Sequence, residues 1–348
     1  MIVNLKKSEL DKIVLRQEFR IKDAINIIKR NKFKIVLVIN KNNKFLGTIT
    51  NGDIRRNLLS GLDLNDSVLL VTNKRPVYVS KSASLKKVGS LMMRNKILSI
   101  PIVNNKKKVI GLHHRNVKKN LSSSTSVVFM AGGKGKRLLP LTYNSPKAML
   151  KINGKPMLEN LLLKAKSCGY KQFILSVNYL SQKIIKYFKN GKKWKVKIDY
   201  LKEKKPLGTV GSLSLLDKDI SENFILMNCD VVTNINILDL EEYHKNHRAF
   251  ITVAAHIRKS KMEYGILKTS GVNLKNFSEK PILNHYINAG VYVFNKKVLD
   301  FLTINKKCDL PELLNIGLKL NKKIVVYPIY ESWTDVGIIK ALKYVRNK

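Results

Sequence analysis

Between Phe129 and Thr142 the chain reads FMAGGKGKRLLPLT, three glycines and three cations directly behind a short apolar run. Gly132, Gly133 and Gly135 can take backbone conformations closed to other residues and bring amide N–H groups close to an anion with no Cβ in the way. Arg137 adds a planar fork of donors able to bridge phosphate oxygens, and Lys147, following Pro146, offers a compact charge for a second phosphate. The chemistry these residue types suit is the holding of phosphate. Their spacing excludes two familiar phosphate loops. The GxxxxGK[ST] order is absent, and Leu138 stands where a dinucleotide fingerprint needs its third glycine.

Elements on either side must position this loop. Apolar strands at Val127 to Met130, Phe173 to Val177 and Phe224 to Met227 alternate with helical segments, the pattern of a parallel α/β sheet. One helix is predicted to start at Pro156, to bury Met157, Leu158, Leu161, Leu162 and Ala165 as one stripe, and to close at Gly169. Ser181 is predicted to cap another, through Ile184, Ile185 and Phe188, and a last helix runs from about Val336 to Val345. In open sheets of this kind ligands collect beyond the carboxyl ends of the strands. Ala131 and Asp230 both fall there.

The glycine loop is followed by PLT at Pro140, SPKAML at Ser145 and GKPML at Gly154. Further on come EKKPLGTVGSL from Glu203, NCDV from Asn228, YGIL from Tyr264, EKP from Glu279, INAGVYVF from Ile287 and WTDVG from Trp333. This ordered set resembles the sugar-phosphate nucleotidyltransferase family, the nucleotide-sugar pyrophosphorylases, over about Ser126 to Lys348. The resemblance implies a Rossmann-like, mixed but mostly parallel, GT-A-like sheet. It implies that Asp230 and Asp335 bind Mg²⁺, with phosphate oxygens and waters completing the shell. Arg137, Lys147 and Asp230 are then the catalytic residues. Ala131, Gly132, Gly133, Gly135 and Gly208 approach the nucleotide, Asn178 and Glu203 stand near the base, and Gly265, Glu279, Lys280 and Asn288 take the sugar side. The departure is Lys136, where the family usually carries Ser or Thr.

The implied reaction is attack by the phosphate of a sugar 1-phosphate on the α-phosphorus of a nucleoside triphosphate, with pyrophosphate leaving. The attacking phosphate is already ionised, so positioning and charge neutralisation are the expected means of catalysis and no general base is needed. The few residues after WTDVG leave no room for C-terminal acyltransferase repeats, so a single reaction is expected.

The first third of the chain contains a repeat. Ile27 to Gly47 lies over Leu91 to Gly111 without a gap, at an offset of 64 (94−30 for the shared Arg-Asn-Lys). Each copy reads as an amphipathic helix, a strand, an Asn- and Lys-rich turn and a second strand, two units that must pack together to hide their apolar faces. With GTITNGDIRR at Gly47 and its weaker partner GLHHRNVKK, this segment resembles an α+β tandem CBS-domain pair, regulatory or oligomerising. That resemblance places Thr50 and Asp53 at the ribose and phosphate of an adenine nucleotide. The second copy has His114 and Val117 at the aligned positions, which leaves one credible site. Adjacent histidines on a strand face opposite ways, so His113 and His114 are expected to be exposed and not to chelate metal.

The expected organisation is a CBS pair over 1–119, a polar linker over 120–126 and a nucleotidyltransferase domain over 127–348, with homo-oligomerisation. This architecture looks like the guanylyltransferases acting on hexose or glucosamine 1-phosphate, which favours GTP; UTP, dTTP and CTP stay open. A noncatalytic nucleotide-sensing protein is the alternative of another class, opposed by the retention of Arg137, Lys147, Asp230 and Asp335 together.

The formal charge of +42 and pI near 10.1 would ordinarily suggest nucleic acid or an anionic membrane. The lysines are instead spread along the whole chain among Asn and Ile, so neither partner is expected. Cys168, Cys229 and Cys308 show neither CxxC nor Cys/His spacing. With no signal-peptide order at the N-terminus and no membrane-length apolar run, a soluble cytoplasmic enzyme is expected.

Overall fold

The computed structural model describes residues 2–5, 7–115 and 124–347, and it divides into two compact units, Met1–Lys119 and Asn120–Lys348. The expected linker lies outside the described residues up to position 123, as does Val117.

The first unit carries the repeat as structure. Helices Ile21–Arg30 and Leu85–Arg94, and strands Ile35–Ile39 and Ser99–Val103, stand at the same offset of 64 (85−21 and 99−35). Val14–Arg16, Ile35–Ile39 and Phe45–Thr50 form one three-stranded sheet. The other is Ile2–Asn4, Val109–Arg115 and Ser99–Val103, so the first strand of the chain completes the sheet of the second copy. Leu112 packs with Ile13, Phe33 and Leu37 in one core, which is why neither copy closes alone.

The two histidines depart from expectation. His113 and His114 are 5 % and 7 % exposed, because their strand lies centrally in its sheet and is covered on both faces. His114 Nδ1 lies 2.9 Å from Ser99 Oγ, its ring meets Phe33 edge-on, and burial pushes the pKa of both imidazoles down.

The second unit is built on a seven-stranded sheet. Across it run Lys197–Lys202, Gln172–Val177, Val127–Met130, Asn223–Asn228, Ile282–Asn295, Ile251–Lys261 and Ile324–Ile329. All neighbours are parallel except Ile282–Asn295, which opposes both of its own. Helices cover both faces: Val127 and Phe129 enter one core with Leu158, Leu162 and Phe173, while Val128 enters another with Phe224 and Phe294. A strand buried on both sides reads as a continuous apolar run, as VVFM does.

Register fixes the site. Met130 stands opposite both Ser176 and Asn228, so three parallel strands end at one edge and deliver Ala131, Asn178 and Asp230 to the same place. A short antiparallel ribbon, Val231–Thr233 with Trp333–Asp335, then pairs Val231 with Asp335. The Val336 amide donates to Asp230 O at 2.8 Å, which holds Val336 out of the last helix; that helix begins at Ile339 instead. Pro156 and Leu180 take the N-cap positions of their helices, with Ser181 already the first helical residue. Among the described residues no helix is long and apolar enough to cross a membrane.

At the opposite edge of the sheet, His244 is 1 % exposed, its Nδ1 2.8 Å from Thr252 Oγ1 and its Nε2 3.1 Å from Asn223 Oδ1. Burial is the largest influence on it, ahead of Glu241 and Lys245, and pushes its pKa down to about 4. The unfolded chain therefore takes up this proton first as pH falls from 6.5. The contribution of neutral His244 is complete above that pH and is lost toward pH 4, an effect of about 3 kcal/mol over 2.5 units. Urea unfolding of wild type and His244→Gln at pH 7 and pH 4.5 checks this: the wild type should lose more stability than the variant across that interval, and equal losses would contradict it.

Candidate active site

The glycine loop leaves the strand Val127–Met130 at the carboxyl edge. Gly135 adopts a left-handed φ of 63°, and a Cβ there would lie 2.9 Å from Thr142 Cγ2 and 3.1 Å from Lys147 Cβ. Only glycine lets the loop fold so closely onto these neighbours, and Thr142 Oγ1 secures the turn by donating to Gly135 O at 3.0 Å. Gly132 is equally constrained, since a Cβ would stand 2.9 Å from Glu203 Oε1. Among the described residues, the backbone amides of Gly132, Gly133 and Gly135 donate to no acceptor of the chain. They border a cavity of about 440 Å³, a size suited to a nucleotide.

Three cations share the cavity wall: Lys136, Arg137 and Lys147. Lys147 Nζ lies 2.6 Å from Asp230 Oδ2, with side chains only 13 % and 26 % exposed. Arg137 extends over Gly337, where a Cβ would come within 2.9 Å of both Arg137 Nη2 and Asp335 Oδ1. Gly337 therefore lets the guanidinium and the Asp335 carboxylate close on one spot. Cys229, between Asn228 and Asp230 on the wall, has its thiol pKa pushed up by burial and by Asp230, and stays protonated.

Glu203 and Asn178, expected near a base, are held by hydrogen bonds within the wall. Glu203 is less available than expected, because Ser176 Oγ donates to Oε1 at 2.8 Å and the Leu207 amide to Oε2 at 3.0 Å. Its backbone carbonyl accepts from Asn178 Nδ2 at 2.9 Å. Both residues line the cavity, and these bonds shape it. Gly208, at φ 83°, approaches Asp309 so closely that a Cβ would stand 2.6 Å from its Oδ1. Asp309 Oδ1 accepts from the Thr209 amide at 2.9 Å while Thr209 Oγ1 accepts from the Leu310 amide at 2.7 Å, a clamp across a hundred residues. Sequence reading did not single out Thr209, Asn228, Asp309 or Gly337, all on the wall. Thr209, Asn228 and Gly337 sit inside quoted motifs; for Asp309 the only signal was a helix start ahead of Pro311.

Ala131, Gly132, Gly133, Gly135, Arg137, Lys147, Asn178, Glu203, Gly208 and Asp230 thus converge on one cavity. Asp335 adjoins it through Gly337, whereas Gly265, Glu279, Lys280 and Asn288 are outside its wall. Gly265 and Glu279 meet each other, a Cβ on the glycine falling 2.9 Å from Glu279 Oε2, beside the exposed hairpin Ile266–Ser270 with Asn273–Ser278. Asn288 accepts from the Gly290 amide and from Tyr292 Oη at 3.0 and 2.8 Å.

A divalent ion fits the residues present only in part through protein. Among the described residues no group of three or more His, Cys, Asp or Glu could hold a metal. The two carboxylates beside the ribbon, Asp230 and Asp335, are hard oxygen donors, and such a pair leaves positions for phosphate oxygens and water, as Mg²⁺ sites generally do.

In the first unit Thr50 and Asp53 are consumed by each other. The Thr50 amide and Oγ1 donate to Asp53 Oδ2 at 2.8 and 2.7 Å, the Asp53 amide returns a bond to Thr50 Oγ1, and Arg56 pairs with Oδ1. This is a capping box at the start of helix Asn51–Leu59. Asp53→Ala should lower the unfolding free energy of this unit by about 1–2 kcal/mol, measured by urea titration; an unchanged midpoint would remove the cap as its role.

A glycine loop with unpartnered amides at the carboxyl edge of a mostly parallel sheet, facing an aspartate, stands where α/β proteins gather their ligands. The nucleotidyl transferase family model matches residues 126–348, and the chain belongs to that family. The CBS domain model matches 9–60 and 68–112. The chain is 30% identical over 224 residues to the mannose-1-phosphate guanylyltransferase catalytic subunit beta of Drosophila melanogaster, covering 62% of this chain and 60% of that protein. It is 31% identical over 220 residues to a putative mannose-1-phosphate guanyltransferase of Sulfolobus acidocaldarius, covering 61% and 60%. The match thus spans about 60% of the length of these curated relatives. Among solved structures, HddC from Yersinia pseudotuberculosis aligns with a TM-score of 0.51 at 25% identity, over 64% of this chain and 98% of that one. A putative glucose-1-phosphate thymidylyltransferase from Bacillus anthracis aligns with a TM-score of 0.52 at 19% identity, over 64% and 94%, a likeness of fold.

Proposed function

We propose that this protein joins GTP and a hexose 1-phosphate to give a GDP-sugar and pyrophosphate, with Mg²⁺ as the ion and mannose 1-phosphate as the first sugar to try. The observation that carries the reading is the cavity itself, where unpartnered glycine amides and the cations Arg137 and Lys147 face Asp230. Guanine and mannose rest on the names of the curated relatives.

The glycine amides and Arg137 hold the triphosphate and take up charge on the departing pyrophosphate. Lys147 turns from Asp230 to the sugar phosphate and brings its oxygen in line with the α-phosphorus, offsetting the repulsion between two anions. A new P–O bond forms at the α-phosphorus as the bond to the bridging oxygen breaks, and no proton needs a base. A divalent ion on Asp230 and Asp335 supplies charge neutralisation at the phosphates when bound. Gly265, Glu279, Lys280 and Asn288 take the sugar in this reading. Adenine-nucleotide sensing by the CBS pair requires the contact between Thr50 and Asp53 to open or to present only its outer lone pairs.

Pyrophosphate release measured with each of the four triphosphates against a panel of sugar 1-phosphates tests the proposal. GTP with a hexose 1-phosphate should be fastest. Nucleotide binding without turnover on any pair would establish the noncatalytic sensor instead.

A further inference from the structure

Lys136 is the one cation of the cavity wall that the reaction above leaves without a task. It is the first residue of the tight turn Lys136–Leu138, directly after the left-handed Gly135. Among the described residues its ammonium has neither a hydrogen-bond partner nor an ion pair. Its two companions are already drawn elsewhere: Lys147 sits on Asp230, and Arg137 lies over Gly337 beside Asp335. Successive side chains of a 3₁₀ turn point roughly 120° apart, so Lys136 and Arg137 reach different parts of the same wall. The carboxylates that share its cavity wall are engaged, Glu203 by Ser176 and Leu207, Asp309 by Thr209 and Asp230 by Lys147. A lysine lining a cavity in which the acids are occupied presents positive charge to whatever anion enters.

We infer that Lys136 binds the terminal phosphates of the triphosphate, the part that leaves as pyrophosphate, as a second grip beside Arg137. A flexible ammonium suits that task, because it can follow the leaving group while the glycine amides keep the rest of the chain of phosphates still. The inference rests on the triphosphate reading of the site, so its test reads binding and not turnover.

Calorimetric titration of the full chain with GTP, pyrophosphate and GMP, comparing wild type, Lys136→Ser, Lys136→Arg and Lys134→Ser, decides it. Lys134, in the same loop and off the cavity wall, controls for general loss of charge. Lys136→Ser should weaken GTP and pyrophosphate about tenfold and GMP less than twofold. Lys136→Arg should restore most of the affinity, and Lys134→Ser should match wild type. Equal affinities of wild type and Lys136→Ser for GTP would overturn the inference, as would an equal loss in Lys134→Ser or a wild type that binds neither GTP nor pyrophosphate. Absence of turnover in a wild type that shows the tenfold difference would count against the reaction and leave the grip standing.

Discussion

Asp230→Asn should yield a folded protein whose turnover has fallen roughly a thousandfold, about 4 kcal/mol of transition-state stabilisation. The backbone hold survives, because the Val336 amide donates to a main-chain oxygen, and asparagine still offers Lys147 an acceptor. The stability cost should therefore stay near 1–2 kcal/mol. What disappears is the negative charge. An amide oxygen is a weak ligand for a hard divalent ion, and Asp335 alone is an exposed carboxylate that cannot hold one. Initial rates with thermal unfolding of the same samples separate the two effects. A variant within tenfold of wild type, or a wild type that works fully after chelation of divalent ions, would remove Asp230 from the metal role.

Lys147→Met should lower turnover by about two to three orders of magnitude, and for a different reason. Methionine keeps the apolar stem that packs near Gly135 and removes only the ammonium. Two phosphates must meet in the reaction, and without that charge their repulsion falls on the transition state. The ion pair at 2.6 Å adds a second consequence. In the empty site the ammonium competes for the carboxylate that the metal needs, so the variant should bind Mn²⁺ more tightly than wild type before nucleotide is added. Tighter metal with slower turnover is an outcome that a merely structural lysine would not produce; unchanged metal affinity together with near-normal rates would exclude the role.

Much of this site was legible because it is local. The strand VVFM followed by GGKGKR specifies a buried strand, a permissive turn and a row of cations within about ten residues, and the loop needs little else to present its amides. The motif order through WTDVG named Asp230 and Asp335 separately, without showing that a ribbon pairs Asp335 with the neighbour of Asp230, Val231. Glu203 was expected near the base, and nothing near it in the chain announces that Ser176 would take one oxygen. His113 and His114 were read as exposed on alternation alone, which fails when both faces of a strand are covered.

Amino-acid order by itself determined the repeat, read from matching stretches 64 positions apart, and the alternation of strands and helices and the glycine-and-cation character of the loop, which depend on residues within one turn or one strand of each other. Tertiary structure decided which of those residues are still available. Lys147 finds Asp230 across 83 positions, Thr209 finds Asp309 across 100, and Ser176 finds Glu203 across 27. A side chain's chemistry depends on whether its charge and lone pairs are already occupied, and pairing over such separations follows from sheet register and packing, not from spacing along the chain.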